Sequence, residues 1–331
     1  MKKVLCFTLM TVLLAACADS ESRLFGKAKR LTDQGKYSQA IAAYSAIIKK
    51  NPESAAAYAS RGLLYEQLKA KDAAELAQNR KLAKNNYEKA ASLNINQPEI
   101  LNNLAALYID EGNYTEALLY LNRALSIWPN YVLGLLNRAV VYSKQGRYDK
   151  ALVDFSRVEE LNPRLPLLYL NRGLMEYAAG YYASAAEDFS RFLELEPDNA
   201  RGYLERGRAF IKMDYFQNAM DNFQQAIALR PDYAMPYFYA GELLFSRGDA
   251  DEGIAYAQRA KELAPRYVPV YEMLGDMLAL ESPVEATQHY LTARQLDPKN
   301  AARYQMKIRM MTSEDGRKRV VYNRFVNLGQ K

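Results

Sequence analysis

Histidine and cysteine are almost missing from this chain of 331 residues, which contains one histidine and two cysteines. A metal site needs clustered histidine, cysteine or carboxylate ligands, and general acid–base catalysis needs a convergent set of titratable groups. One of the cysteines, Cys6, lies in an apolar N-terminal run, so the chain after that run has no second cysteine for an internal disulfide. We therefore expect no metal, no cofactor and no enzymatic activity.

Motifs that bind phosphate or activate a serine are missing as well. The sequence has no glycine-rich phosphate loop, no Walker pattern and no Gly-x-Ser-x-Gly elbow. Its histidine, His289, directly precedes Tyr290 on a predicted helix, and this position favours a structural role in the core. The adjacent pair Glu159 and Glu160 points in two directions on a helix, which is typical of a solvated face.

A basic face is missing from most of the chain. Residues 17–300 hold 34 basic and 36 acidic residues, whereas residues 301–331 hold eight basic and two acidic residues. Nucleic-acid binding needs a positively charged surface, so the near-neutral body excludes a nucleic-acid partner. Only the C-terminal tail is positively charged, and contact of this tail with anionic lipid or polymer is an alternative function.

The N-terminus is predicted to be a targeting segment rather than part of the fold. A positive start is followed by the apolar run 4–14, which is too short to span a membrane. The next residues, Leu14-Ala15-Ala16-Cys17, resemble the bacterial lipobox. This resemblance implies a signal peptide at 1–16, acylation (palmitate) of Cys17 and a lipidated linker at 17–20. A plain secretory signal that leaves Cys17 as a free thiol is the alternative.

The lipobox also carries an expectation about location. Residue 18 is Ala18 rather than aspartate, and lipoproteins of this kind without an aspartate there usually move to the outer membrane. We expect a lipid-anchored protein at the periplasmic face of the outer membrane, held by its acyl chains.

A period of 34 residues runs through the chain after this segment. Prolines occupy one column of the period: Pro129, Pro163, Pro197, Pro231 and Pro265. Alanines occupy a second column: Ala117, Ala151, Ala185 and Ala219. A small residue occupies a third: Ala105, Ala139, Gly173, Gly207 and Gly241. A fixed period of this size predicts stacked structural repeats.

Each period has the composition of two helices joined by a turn. A small residue in the first half allows close approach of a neighbouring helix, and a glycine such as Gly180 suits a turn after that helix. In the second half, Ala185 and Phe189 are four residues apart and share one helical face. A proline then ends the unit. No stretch has the alternation of a strand, so the sequence predicts an all-α fold.

These columns resemble the tetratricopeptide repeat (TPR) family. Block 200–233 carries its pattern as Tyr203, Gly207, Ala219, Phe223, Ala226, Leu229 and Pro231. The resemblance implies a right-handed superhelical solenoid of about eight helix-turn-helix repeats. Their expected bounds are 21–54, 55–97, 98–131, 132–165, 166–199, 200–233, 234–267 and 268–300. We expect a basic C-terminal capping helix and tail at 301–331 to cover the last apolar face.

Three repeats depart from the pattern, of which block 268–300 is one residue short at its turn, around Glu281-Ser282-Pro283. Block 55–97 carries nine extra residues, and the stretch Leu68–Gln78 favours helix, so we expect two lengthened helices there. Block 234–267 has Gly253 and Ala257 where larger residues are usual, so we expect looser packing.

The resemblance implies that the first helices of the repeats line a concave groove. The candidate partner-binding residues at its ligand-facing positions are Leu133, Leu136, Val140, Leu167, Leu170, Leu174, Tyr177, Leu204, Arg208, Phe238 and Phe245. Most are apolar, and an exposed apolar patch normally marks a binding surface. Leu136 and Val140 stand where the chaperone-binding clamp of the family has polar residues, so we exclude that kind of ligand.

Together these features predict a non-catalytic interaction scaffold, tethered to the cell-envelope membrane, that binds a protein or peptide in its groove. Two other uses of the groove stay open, namely filling by the chain's own tail and formation of a homodimer. The tail residues that favour filling are Met306, Ile308, Met310, Met311, Val320, Val321, Tyr322 and Phe325. An envelope enzyme acting on peptidoglycan is the alternative of a different class.

Overall fold

The chain is divided into two compact units. The first ends at Pro163 and the second starts at Arg164. The computed structural model describes residues 22–93 and 95–330, with side chains as far as Arg324. The predicted signal peptide and Cys17 lie outside the described residues. Within the described part every regular element is a helix, so the predicted all-α class is confirmed.

The first unit consists of four consecutive helix pairs. Its helices are α1 (22–33), α2 (Tyr37–Lys50), α3 (Ala55–Gln67), α4 (Ala73–Ser92), α5 (Pro98–Asp110), α6 (Tyr114–Ile127), α7 (Val132–Lys144) and α8 (Tyr148–Leu161). Its core combines alanines with large side chains, and Tyr87, Leu101, Leu104 and Leu121 are fully buried. Each pair thus hides an apolar seam that neither helix could cover alone.

The second unit has four further pairs and two terminal helices. Its helices are α9 (Pro166–Ala179), α10 (Tyr182–Leu195), α11 (Ala200–Lys212), α12 (Phe216–Leu229), α13 (Ala234–Arg247), α14 (Ala250–Leu263), α15 (Val268–Met277), α16 (Pro283–Leu296), α17 (Ala301–Met310) and α18 (Glu314–Gln330). A single 3₁₀ turn, Pro298–Asn300, leads into α17. The first helices α9, α11, α13 and α15 begin 34 residues apart.

A small residue faces an aromatic ring inside several of these pairs. A Cβ added to Gly173 on α9 would lie 2.8 Å from the Phe189 ring on α10, and one added to Gly207 would lie 2.6 Å from the Phe223 ring. Both rings are fully buried. The small residue is therefore required for the two helices of a pair to approach each other, as the period predicted.

The turn inside six of the eight pairs contains a left-handed residue. Gly180 has φ +86° at the end of α9, where glycine costs nothing. The equivalent position one repeat later is Asp214, which is the non-glycine residue with positive φ (60°) in the described chain. Asp214 therefore holds a strained conformation that the other turns avoid.

The extra residues of block 55–97 lengthen one helix rather than two. α3 has 13 residues, whereas α4 has 20, and Leu68–Asp72 forms the connection between them. The side chain of Asp72 accepts a hydrogen bond of 2.8 Å from the backbone N–H of Glu75. Because this cap starts α4 at Ala73, the prediction of a lengthened first helix is wrong.

Block 234–267 is packed closely, contrary to the expectation of a looser pair. A Cβ added to Gly241 on α13 would lie 2.8 Å from the carbonyl oxygen of Gly253 on α14. One added to Gly253 would lie 2.9 Å from the backbone nitrogen of Phe245. The two backbones meet because both glycines lack side chains, and this approach replaces the missing ring.

The tail forms two helices where the sequence predicted one capping helix. α17 follows α16 directly, and the turn at Met311–Ser313 reverses the chain into α18. Met311 and Val320 are buried in one apolar cluster with Leu278, Ala279 and Tyr290. The tail therefore covers apolar surface of the last repeat, which is the capping role expected for a solenoid end.

Candidate functional site

The candidate groove residues of the first unit lie on α7, and the structure separates them by exposure. Leu133 is 45% exposed, Val140 is partly buried, and Leu136 is only 3% exposed. Leu133 therefore offers apolar area to a ligand, whereas Leu136 is part of the core.

The same separation appears on α9 of the second unit. Leu167 is 47% exposed, while Leu170, three residues later, is 6% exposed. Leu174 and Tyr177 are partly buried. α9 thus presents apolar atoms of Leu167 to solvent near its N-terminal end, and the partly buried Tyr177 lies near its C-terminal end.

Three further candidates are also buried. Leu204 lies in one apolar cluster with Ala240 and Leu243 of α13, so it packs against the next first helix. Phe238 and Phe245 of α13 lie in one cluster with Met273 and other side chains of α15. Including Leu136 and Leu170, five of the eleven predicted groove residues are core residues. These positions face the following repeat, and repeat stacking removes them from solvent.

Arg208 is the most constrained of the partly exposed candidates. Its guanidinium carbon lies 4.8 Å from the centre of the Tyr177 ring and 5.2 Å from the centre of the Tyr239 ring. It also forms an ion pair with Glu205, one turn earlier on α11. Burial raises the pKa of Tyr239 to about 12, so the ring stays neutral beside the cation.

Polarity changes along one column of the first helices of the repeats, which are called the inner helices from here on. Residues 34 apart at this position are Leu174, Arg208, Glu242 and Asp276. α9 therefore contributes an apolar side chain, α11 a cation, and α13 and α15 a carboxylate each.

Basic residues of the tail cover the acidic end of this column. Arg324 of α18 donates to Glu242 (2.6 Å) and to Asp276 (3.2 Å). Lys307 of α17 donates to Asp276 (2.6 Å) and lies 2.7 Å from Glu272. Burial would raise the pKa of Glu272, but these cations together hold it below its ordinary value.

The tail thus occupies the inner helices only at the last two repeats of the second unit. Val321 of α18 packs against the cluster that contains Phe238 and Phe245. A cavity of about 490 Å³ remains between α13, α15, α17 and α18, lined by Glu242, Glu272 and Arg324 among others. Met306 and Tyr322, which the sequence predicted to favour filling of the groove, are exposed instead. The side chain of Phe325 lies outside the described part.

The sequence profile of the tetratricopeptide repeat matches residues 25–86, 136–200, 170–212 and 204–268, and a second profile of the same repeat matches residues 96–164. The chain belongs to the tetratricopeptide repeat family. No curated protein matches the chain.

Several solved structures of other proteins share the fold. A TPR protein from Parabacteroides merdae is 20% identical, with a TM-score of 0.60 over 77% of this chain and 98% of that one. A chain of the APC/C hetero-tetramer Cut9–Hcn1 is 16% identical, with a TM-score of 0.58 over 91% and 55%. The pilF protein of Pseudomonas aeruginosa is 20% identical, with a TM-score of 0.54 over 61% and 92%.

The histidine of this TPR chain lies inside its last repeat. His289 on α16 is 7% exposed, its ring centre lies 6.1 Å from that of Tyr271, and its Nε2 lies 3.8 Å from a carboxylate oxygen of Glu285. Burial lowers the pKa of His289, Lys261 adds to this effect, and Glu285 opposes it. A neutral, buried imidazole fits the structural role that the sequence suggested.

Among the described residues, no group of three or more histidine, cysteine or acidic side chains is arranged to hold a metal ion. In the same part of the chain, no helix has both the length and the apolar character that crossing a membrane requires.

Glu272 and Asp276 are not among the sequence-predicted site residues, although the structure pairs both with Lys307 of the tail. Both stand at ligand-facing positions of α15, and a basic tail follows them in the sequence. This charge complementarity was the available signal, but only the apolar residues of the tail were considered as groove ligands.

Proposed function

We propose that this TPR chain is a non-catalytic interaction scaffold of the bacterial cell envelope that binds a protein or peptide on its inner helices. The observation that carries the proposal is the apolar edge of α9, where Leu167 is 47% exposed and Leu174, two turns later on the same helical face, is partly buried. A short amphipathic segment would bury this edge and gain hydrophobic free energy. Arg208 of α11, held between the Tyr177 and Tyr239 rings, adds a fixed cation near the C-terminal end of α9.

The proposal includes a lipid anchor at Cys17 and a location at the periplasmic face of the outer membrane. The lipobox-like Leu14-Ala15-Ala16-Cys17 supports the anchor, and Ala18 supports the outer membrane. Replacing Cys17 with serine in the native host tests this part. We expect the protein to move from the membrane fraction to the soluble fraction, and unchanged sedimentation with the outer membrane would contradict the anchor.

Affinity capture of the full lipoprotein from its own envelope, after brief crosslinking, tests the binding role. Leu167→Glu places a charge on the apolar edge, and Leu229→Glu places the same charge on α12, where Leu229 is 38% exposed. We expect Leu167→Glu to reduce captured partners at least fivefold and Leu229→Glu to leave them unchanged. Equal capture by both variants would show that the inner edge is not the binding surface.

The structure gives less support to the two alternative functions. His289 is buried, which removes the most plausible catalytic residue of a peptidoglycan enzyme. Three of the basic side chains of the tail, Arg303, Lys307 and Arg324, are paired with carboxylates of the last repeats. Fewer charges are then free for an anionic lipid surface.

A further inference from the structure

Three carboxylates gather on the inner helices of the last two repeats. Glu242 comes from α13, and Glu272 and Asp276 come from successive turns of α15. Their side chains are 15%, 13% and 5% exposed. Asp276 also accepts a hydrogen bond of 2.7 Å from the buried hydroxyl of Tyr290. Because carboxylates at this depth are stable only beside cations, the surface requires positively charged partners.

The two tail helices supply these cations in different ways. Lys307 is on α17, which follows the last repeat directly, and it contacts Glu272 and Asp276. Arg324 is on α18 and is the side chain that reaches Glu242. If α18 left the surface, Lys307 would still neutralise part of the α15 carboxylates, and Glu242 would lose its partner. Glu242 and Asp276 would then lack the arginine that bridges them, and another arginine could bind in its place.

α18 has the features of an exchangeable occupant. Few of its described side chains are buried, with Val320 at 4% and the Arg324 side chain at 11% exposure, while Tyr322 is 68% exposed. The Nε of Arg324 is buried without a hydrogen-bond partner among the described residues. The fit of α18 to the surface is thus incomplete, and a better-matched helix would displace it.

We propose that Glu242, Glu272 and Asp276 form a docking site for an arginine-bearing amphipathic helix of a partner protein, and that α18 is the chain's own competitor for this site. The contacts that α18 makes at this site specify which kind of partner helix would bind there. Val321 packs against the cluster that contains Phe238 and Phe245, and Arg324, three residues later and one helical turn on, reaches the carboxylates. The inference rests on the proposed function, because it assigns one partner class to the same row of inner helices.

A labelled synthetic peptide of residues 312–331 is the probe, and its binding to the full-length protein is measured by fluorescence anisotropy. In the variant Arg324→Glu, the chain's own helix carries a repelled charge and leaves the site. We expect this variant to bind the peptide at least tenfold more tightly than the wild-type protein does. Lys318→Glu makes the same charge change on α18 at a side chain that is 63% exposed, and it should behave like the wild type.

Two further charge reversals test whether the carboxylates and the arginine are the groups that bind. A peptide that itself carries Arg324→Glu should not bind, and adding Glu242→Lys to the Arg324→Glu protein should abolish binding of the wild-type peptide. Circular dichroism confirms folding, and Arg324→Ala serves as a second opening variant. Equal binding by the wild type and both opening variants, or no binding by any of them, would overturn the proposal. A stable dimer of Arg324→Ala by light scattering would also overturn it, by making a second copy the occupant.

This test is independent of the capture experiment at Leu167. The peptide is part of the chain itself, so a negative result leaves partner binding at α9 untouched. A negative capture result with positive peptide binding would instead show a docking site without the proposed envelope partner.

Discussion

Arg324 on α18 donates a hydrogen bond of 2.6 Å to the Oε1 of Glu242 on α13, 82 residues earlier in the chain. The contact joins the end of the tail to an inner helix of the second unit. It shows that the inner surface of this TPR unit is not uniform. The α9 edge is open at Leu167, whereas the α13 and α15 end is covered by the chain itself.

Removing the charge of Glu242 should loosen α18. In Glu242→Gln, Arg324 keeps Asp276 but loses its closer ionic partner, which costs about 1.5–3 kcal/mol of local stability. We expect backbone amides of 314–324 to exchange at least tenfold faster in hydrogen-exchange mass spectrometry. Glu285→Gln, which removes an exposed carboxylate from α16, is the control, and equal exchange in both variants would contradict the contact.

Leu167 and Leu170 should differ sharply in their effect on stability. Leu170 is 6% exposed and Leu167 is 47% exposed. Truncation of a buried leucine leaves a cavity, so Leu170→Ala should lower the free energy of unfolding by about 2–4 kcal/mol. Leu167→Ala should change it by less than about 0.5 kcal/mol. Urea denaturation measures both, and similar losses would place Leu167 in the core.

Asp214→Gly should stabilise the protein. Asp214 adopts φ 60° at a turn where the equivalent residue, Gly180, has φ +86°. Glycine relieves the left-handed strain, and we expect a gain of about 0.5–1 kcal/mol in thermal unfolding. Gly180→Ala is the matched reverse change and should cost about 1 kcal/mol. A loss of stability in Asp214→Gly would mean that the aspartate side chain makes up for the strain.

Glu176 should make the stability of the second unit fall as pH rises. Burial raises its pKa to about 7 from an ordinary 4.5; Asp188 and Glu187 add to the rise, and Arg172 opposes it. A carboxyl with a raised folded pKa contributes stability that is fully present below pH 4.5 and is lost as pH rises through about 7.

Glu176→Gln removes this dependence. We expect the variant to gain about 1–2 kcal/mol over the wild type at pH 8 and to gain little at pH 5, measured by urea denaturation. Glu196→Gln changes an exposed glutamate that is not among the groups shifting Glu176, and it serves as the control. A gain that is the same at both pH values would show that Glu176 does not titrate in this range.

The sequence predicted the repeat framework because its signals are local and periodic. The small residue and ring at Gly173 and Phe189 are columns of the period, and the structure brings them into contact. The cap at Asp72 was also readable, since Glu75 follows at the spacing of a helix start. The residues around this cap favour helix on both sides of it, so the pattern of Leu68–Gln78 does not show where one helix ends and the next begins.

The groove could be predicted only in part. Leu170 and Leu174 are the same residue type at neighbouring ligand-facing positions, yet the first is buried and the second is partly open. Which position the next repeat covers depends on how the helices stack. This stacking has no local sequence pattern from which the burial of each leucine could be predicted. The return of α18 to Glu242 was missed for a related reason, because it depends on a reversal at Met311–Ser313 that has no repeat signature.

Site-specific photocrosslinking on the full-length protein in living cells tests the central claim most directly. A photoreactive amino acid replaces Leu167 on the inner edge, or Leu229 on α12 as the control. The account predicts discrete crosslinked protein adducts from position 167 that are missing from position 229. The same adducts from both positions, or none from position 167 while the protein is folded and membrane-bound, would contradict a binding surface on the inner helices.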